Sequence, residues 1–133
     1  MKLTKRSEYA LLALVYLNRH CSEGYNSIES VSISQAIPKK FLEQILLTLK
    51  HGCYVSSYKG QNGGYKLAKS AKDISLAEII RLFDGALAPT ESVSKYFYEP
   101  TPIIKEDKII GVLKDIRDYI SNKLENTAIE DVT

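Results

Sequence analysis

The chain has 133 residues, 44% hydrophobic and 26% charged, which is the balance of a soluble globular protein of one domain or one domain with a packed extension. Its longest apolar run, Tyr9 to Leu17, is far too short to span a bilayer. Arg19-His20 follow it closely, with no small-residue cleavage site, so the expected location is the cytoplasm, with no membrane partner. The net charge of +2 conceals an asymmetry: residues 1–72 hold 11 Lys/Arg against 4 Asp/Glu, and residues 73–133 hold 7 against 12, giving +7 and −5. A basic half beside an acidic half points to a polyanionic partner for the first half, with chance surface charge as the bland alternative.

Thr4 can cap a first helix in which Tyr9, Leu12, Ala13, Tyr16 and Leu17 follow i, i+3, i+4, i+7, i+8 spacing. Leu11, Leu14 and Val15 make that helix apolar nearly all round, which predicts a central position. Ser22 to Asn26 reads as a loop. A short weak helix from Ser27 to about Gln35 turns Ile28 and Val31 inward, and Ala36-Ile37 is a tight turn. Pro38 suits the first position of a third helix, because its missing N–H would be unpaired there in any case. That helix runs to about Lys50, with Phe41, Leu42, Ile45, Leu46 and Leu49 as its expected buried stripe. Lys39, Lys40, Glu43, Gln44, Leu47 and Thr48 are left facing outward or sideways.

After Gly52 the period changes to two. Val55 to Tyr58 is a strand, Lys59 to Gly64 a glycine-rich turn, and Tyr65 to Ala68 the returning strand. Ser75-Leu76-Ala77-Glu78 is a capping box opening a helix with Leu76, Ile79, Ile80 and Phe83 inward, ended by Gly85. Residues 86–102 hold Pro89, Pro100 and Pro102 and read as a long loop. A last helix is predicted from about Ile104 to Leu124, with Ile109, Leu113, Ile116, Ile120 and Leu124 as its apolar stripe, followed by a polar, flexible tail over 127–133.

The predicted fold class is therefore mainly α with a small β-hairpin: a winged helix-turn-helix domain over 1–85, a loop over 86–102 and a long C-terminal helix over 103–126. A short third helix, basic at its N-terminus and free on one face, can lie in a major groove. Its positive N-terminal dipole with Lys39 and Lys40 favours phosphate, although both lysines could equally be solvated helix-start residues. Gln44 can pair with adenine and Glu43 can accept from cytosine, or both can be plain helix surface. The hairpin tip, Lys59-Gly60-Gln61-Asn62-Gly63-Gly64, has little bulk and one cation, which suits a wing on a phosphate strand or in a minor groove. Its glycines also serve the turn itself.

These segments resemble the BadM/Rrf-two family of bacterial regulators, which includes the iron–sulfur cluster regulator and the cysteine-metabolism regulator. The opening run from Met1 to Leu11 resembles the family's start. Ile37-Pro38-Lys39-Lys40-Phe41-Leu42-Glu43-Gln44-Ile45-Leu46 resembles its recognition helix, Ser57 to Ala68 its wing, and Ile74 to Ile80 the segment that follows. The resemblance covers residues 1 to about 92 well and the last helix loosely. It implies binding of double-stranded DNA by a homodimer, with repression as the expected outcome. Lys2, Arg6, Lys39, Lys40, Glu43, Gln44, Ser57, Lys59, Gly60 and Gln61 form the expected DNA-binding set. Ile109, Leu113, Ile116, Ile120 and Leu124 form the expected dimer seam, with packing inside one subunit as the other use of that stripe.

Three departures from the family pattern matter. Cluster-binding members carry three cysteines before the last helix, and Ser92, Tyr98 and Ile104 fall at the matching positions here, so no iron–sulfur cluster is expected. Lys59 replaces the frequent wing arginine and loses its planar fork. Cys53 stands where a turn glycine is usual: either Gly52 shifts the cap by one residue or Cys53 bears left-handed strain, and Cys53 is the candidate redox thiol. Cys21 and Cys53 cannot form a disulfide framework, and with His20 and His51 their spacing fits no usual zinc knuckle, so neither metal nor cofactor is expected. No phosphate loop, G-x-S-x-G elbow or metal-spaced His–carboxylate set is present, which argues against an enzyme. A regulatory protein or a small-molecule effector remains an expected further partner. The competing class is a winged-helix interaction module with weak or lost DNA binding.

Overall fold

A computed structural model describes residues 1–133. Five α-helices and one antiparallel hairpin follow in the order α1 Lys5–Arg19, α2 Ile28–Gln35, α3 Lys39–His51, β1 Val55–Tyr58, β2 Gly64–Leu67, α4 Leu76–Asp84 and α5 Asp107–Glu125. Short 3₁₀ turns lie at Cys21–Glu23, Ala71–Asp73, Glu91–Val93, Pro102–Lys105 and Ile129–Val132. The architecture is mainly helical with a hairpin wing: a winged helix-turn-helix and a long C-terminal helix. No helix is long and apolar enough to cross a membrane.

Helix α1 is central because nearly every one of its faces meets another element. Ala10, Ala13, Leu14 and Leu17 are fully buried, and the helix packs against α2, α3, α4, β2 and the C-terminal turn. Its N-terminus is held by a clamp. Asp84, at the end of α4, accepts hydrogen bonds from the Thr4 N–H and from the hydroxyls of Thr4 and Ser7. Ser7 is fully buried, and its hydroxyl has two acceptors within reach, the Asp84 carboxylate and the Thr4 carbonyl at 3.0 Å.

Burial alone would raise the Asp84 pKa. The Ser7 and Thr4 hydroxyls, the Thr4 N–H and nearby Arg6 outweigh it and hold the carboxyl below its usual range. A carboxyl whose folded pKa lies below its unfolded value stabilises the fold above about pH 4, and that stability is lost as pH falls further. Wild-type protein is therefore expected to lose more thermal stability between about pH 6 and about pH 3 than Asp84→Asn. Thermal unfolding at the two pH values checks this; equal losses in both proteins would show that the clamp contributes nothing.

Helices α2 and α3 form the helix-turn-helix. Ser27 caps α2, and the turn after it places Ala36 at φ 54°, a left-handed conformation. The Ile37 N–H donates to the Ser32 carbonyl at 3.0 Å, and the Ser32 hydroxyl donates to the Ile37 carbonyl at 2.6 Å, which closes the turn. Helix α3 begins one residue later than expected: Pro38 is the cap, with ψ 130°, and its carbonyl accepts the Leu42 N–H at 3.0 Å.

Leu42, Ile45, Leu46 and Leu49 are buried as the spacing predicts, but Phe41 is not part of that stripe; it is 55% exposed, with its ring centre 6.4 Å from that of Tyr9. Helical side chains tilt toward the N-terminus, so a residue in the first turn projects past the edge of the core.

At the end of α3 the structure decides between the two readings of Cys53. Gly52 has φ −80°, whereas Cys53 has φ 65° and carries the left-handed turn. A Cβ at position 52 would stand 2.9 Å from the Tyr54 ring, so the glycine is needed for space one residue before the left-handed position. Cys53→Gly is expected to raise stability by about 1 kcal/mol by relieving that conformation. Denaturant unfolding checks it, and a destabilised variant would mean that the thiol makes a contact worth more than the strain.

The hairpin pairs Val55 with Leu67 and Tyr58 with Gly64. Its base is tied to α4 by the Tyr54 hydroxyl, which donates to Glu78 at 3.0 Å. Burial, then the Glu78 partner, pushes the Tyr54 pKa up to about 12, so this donor stays protonated at neutral pH. Glu78 also completes the predicted capping box, accepting the Ser75 N–H at 2.8 Å while its own N–H donates to the Ser75 hydroxyl at 3.1 Å.

The segment 86–102 has no regular α or β structure, yet it is packed. Leu87, Ala88 and Val93 are buried, and a hydroxyl chain runs from Thr90 through Thr101 to Ser92. The last helix starts at Asp107 rather than Ile104, because Pro102–Lys105 forms a 3₁₀ turn first.

The largest departure concerns residues 127–133, read from the sequence as a flexible tail. They fold back onto the domain. Ile129 is fully buried in the main core, its N–H donates to the Ile74 carbonyl at 2.8 Å, and the Leu76 N–H donates to the Thr127 carbonyl at 2.9 Å. A single isoleucine among polar neighbours carries too little periodicity to be seen in sequence; only the shape of the core beneath it explains its burial.

Candidate nucleic-acid interface

The exposed face of α3 carries Lys40, Phe41, Glu43, Gln44, Leu47, Lys50 and His51. The four buried positions, Leu42, Ile45, Leu46 and Leu49, anchor the opposite face, so this outer row is held rigidly while its side chains remain in solvent. Lys39 behaves differently from Lys40. Its Nζ lies 2.7 Å from Glu29 Oε1 on α2, and this pair bridges the two helices of the helix-turn-helix. The hydrogen bond between them lowers the Glu29 pKa and raises that of Lys39, so both stay charged at neutral pH. Lys39 therefore has a structural partner, whereas Lys40 has no ion-pair partner in the chain.

The wing tip projects Lys59, Gly60, Gln61 and Asn62 into solvent, with Ser57 half-buried on β1. Its base is stiffened by aromatic contacts: Tyr25 and Tyr58 ring centres lie 5.6 Å apart, and the Lys66 ammonium sits 4.8 Å over the Tyr25 ring. At the start of the chain Lys2 and Arg6 are exposed, and the Arg6 guanidinium lies 5.3 Å over Phe83, so part of its contact area faces its own domain. Sequence reading put Phe41 in the buried stripe, and left Leu47 facing outward without adding it to the DNA-contact set. They are 55% and 51% exposed, and their offsets from Gln44, three residues either way, were the available signal.

The long helix α5 divides its apolar residues between two faces. Leu113 packs with Ala88, Val93 and Ile110, while Ile120 and Leu124 pack against Ala77, Ile80 and Leu87. Ile109, Val112, Ile116 and Tyr119 are left 45%, 58%, 43% and 72% exposed. Their i, i+3, i+7, i+10 spacing is a heptad-like seam without a partner in this chain.

The positions matching the cluster cysteines offer no metal chemistry. Ser92 is buried and accepts the Thr101 hydroxyl at 2.8 Å, and Tyr98 and Ile104 bring no thiolate. Both cysteines are free and exposed on other parts of the chain, and no three His, Cys, Asp or Glu side chains assemble into a metal-holding group. The donor set does not fit an iron–sulfur cluster. His20 and His51 cap or end helices, and His20 pairs with Glu23.

This arrangement of helix-turn-helix, wing and long terminal helix is matched by a family model described as "Iron-dependent Transcriptional regulator", Rrf2, over residues 3–133. The chain belongs to the Rrf2 family. Among its relatives, an Rrf2-like helix-turn-helix-type transcriptional regulator of Rhodobacter capsulatus is 39% identical over 101 residues, 74% of this chain and 67% of the relative. The helix-turn-helix-type regulator CymR of Bacillus subtilis is 28% identical over 132 residues, 99% of this chain and 89% of its own. The solved structure of B. subtilis CymR, titled the global cysteine regulator, superposes with a TM-score of 0.80 at 26% identity, covering 99% of this chain and 95% of that one. The IscR structure from T. potens gives 0.76 at 25% identity, covering 99% and 85%. The protein is thus a transcriptional regulator of the helix-turn-helix type, like the other members of the Rrf2 family that it matches.

Proposed function

We propose that this Rrf2-family chain is a sequence-specific DNA-binding repressor that acts as a homodimer without an iron–sulfur cluster. The observation that carries the reading is the rigidly backed outer face of α3, with Lys40, Glu43 and Gln44 in solvent, followed after a tight turn by a wing tip bearing Lys59 and Gln61. In a major groove, Gln44 pairs with an adenine, Glu43 accepts from a cytosine, and Phe41 and Leu47 provide apolar contact for thymine methyl groups. Lys40 and the α3 N-terminus meet phosphate, Lys39 holds α2 against α3, and the wing lies on the backbone or in the adjacent minor groove. The α5 seam of Ile109, Val112, Ile116 and Tyr119 pairs two copies. Leu113, Ile120 and Leu124 serve the subunit's own core instead. Two recognition helices then meet half-sites about one helical turn apart, or a multiple of that. The absence of thiols at positions 92, 98 and 104 supports the cluster-free assignment.

The test is a titration of the protein against its own upstream duplex and a scrambled duplex over a range of salt. Preferential binding with a steep salt slope is expected. Lys59→Ala should lower the slope by about one unit, and Gln44→Ala should relax sequence preference by about 1–3 kcal/mol. Unchanged preference in Gln44→Ala would overturn this docking of α3. Val112→Glu combined with Ile116→Glu should give monomers by sedimentation, and a surviving dimer would exclude the α5 seam.

A further inference from the structure

At the wing tip Asn62 is followed by Gly63, a pair that the proposed DNA contacts do not use. The carboxamide carbon of an asparagine is open to attack by the backbone nitrogen of the next residue. The attack is least hindered before glycine, which has no Cβ beside that nitrogen. Of the five asparagines in the chain, Asn62 alone precedes a glycine. The other four are also held in place. Asn18 and Asn122 lie within α1 and α5, Asn26 is 8% exposed, and the Asn126 amide donates to the Asn122 carbonyl at 2.8 Å.

Asn62 is exposed, and its amide has no partner in the chain. Its φ of 146° strains a residue that carries a side chain. The glycine after it is fixed by the fold. A Cβ at position 63 would stand 2.2 Å from the Tyr58 carbonyl oxygen and 3.0 Å from that of Gly60, both of them backbone atoms. The Gly63 N–H donates to the Gly60 carbonyl at 3.1 Å and must leave that bond before it reacts. A bond at the solvent end of a two-stranded hairpin opens at small cost.

We propose that Asn62 is a site of spontaneous deamidation, a self-modification built into the wing. The Gly63 nitrogen, on losing its proton to solvent, bonds to Asn62 Cγ. The Cγ–Nδ2 bond breaks, and Nδ2 leaves as ammonia after taking up a proton. One water then opens the five-membered imide. Attack at one carbonyl gives aspartate; attack at the other gives isoaspartate, whose main chain is longer by one carbon. Neither oxidant nor reductant takes part, and either product adds one negative charge. The effect on DNA rests on the repressor reading above. Asn62 lies three residues from Lys59, the one cation of the tip, so the new carboxylate offsets that charge where phosphate is met.

The modification is tested without DNA. Purified full-length protein is held at mildly alkaline pH, and its charge forms are followed by isoelectric focusing and peptide mapping. A more acidic form is expected to accumulate, faster as pH rises, with aspartate and isoaspartate at position 62. Asn62→Gln should remove it, because the longer side chain would have to close a six-membered ring. Rearrangement at Asp84-Gly85 leaves the net charge unchanged and is thereby told apart. An acidic form that maps to Asn18, Asn26, Asn122 or Asn126, or that persists in Asn62→Gln, overturns the site, as does the absence of any acidic form. The second arm uses the upstream duplex. Asn62→Asp should bind it about fivefold more weakly, with a salt slope lower by about one unit. Aged wild-type protein should lose affinity in step with its acidic fraction, while aged Asn62→Gln keeps its starting value. Equal affinities of Asn62→Asp and wild type would overturn the effect on DNA and leave the modification standing. Wild-type protein that binds no duplex at all would overturn the repressor reading instead.

Discussion

Ile129→Ala is expected to lower the free energy of unfolding by about 2–5 kcal/mol, the usual cost of cutting a fully buried isoleucine back to a methyl group. The residue is fully buried in the same cluster as Leu14, Leu17 and Ile74. Its position is fixed from both sides. The backbone of 127–129 pairs with 74–76 through the Leu76-to-Thr127 and Ile129-to-Ile74 hydrogen bonds, and Asn18 donates to the Thr133 hydroxyl at 3.0 Å. With that backbone anchored, the core cannot collapse fully into the space left by the missing carbons, which places the expected cost toward the upper part of the range. Equilibrium denaturation measures it. A loss below about 1 kcal/mol would mean that the C-terminal turn does not hold its place against α1, because an undocked side chain has little burial to lose.

Gly64→Ala is the second large effect. An added Cβ would stand 2.0 Å from the Asn26 carbonyl oxygen and 2.4 Å from its carbon, and both belong to backbone that cannot swing aside. The glycine also has φ 153°, which an alanine adopts only with strain. The contact being broken is the pair of hydrogen bonds between Asn26 and Tyr65, each 2.8 Å, that fastens β2 to the segment before α2. The expected cost is about 2–4 kcal/mol, from strain plus two lost backbone bonds. Amide hydrogen exchange should accelerate at Asn26 and Tyr65 first. Under the DNA-binding function proposed above, a wing that has lost this anchor should also bind DNA at least about tenfold more weakly, since its position has changed. Retained exchange protection at Tyr65 in the variant would refute the argument.

Much of the fold was legible because its signals are local. Thr4, Ser27 and Ser75 accept from the third following N–H as capping residues do, and the repeated apolar spacing of α1 and α3 marks their inner faces. The glycine-rich tip between two short alternating runs marks the hairpin. The candidate DNA surface was legible in outline for the same reason: once the buried row of α3 is known, the outer row follows. Its details were not. Phe41 satisfies the helical period of the core and still lies outside it, and Lys39, chosen for its charge, is paired with Glu29 on α2.

The apolar stripe of α5 shows the same limit at larger scale. Ile109, Leu113, Ile116, Ile120 and Leu124 are evenly spaced, and nothing in that spacing says which of them meet α4 and the 86–102 segment and which stay outside. The packed positions of Leu87, Ala88 and Val93 decide it, turning Leu113, Ile120 and Leu124 inward and leaving Val112 and Tyr119 on the outer seam.

Residue type and period along the chain thus determined the order of elements, their caps, the wing and the basic character of the first half, because each depends on interactions within about one or two helical turns. Tertiary structure alone decided the left-handed strain at Cys53, the burial of Ile129, the division of α5 and the Arg81–Glu125 pair that joins α4 to α5. Each of these depends on which distant segments arrive at the same place, and contact between residues 74 and 129, or 81 and 125, leaves no periodic trace in either stretch of sequence.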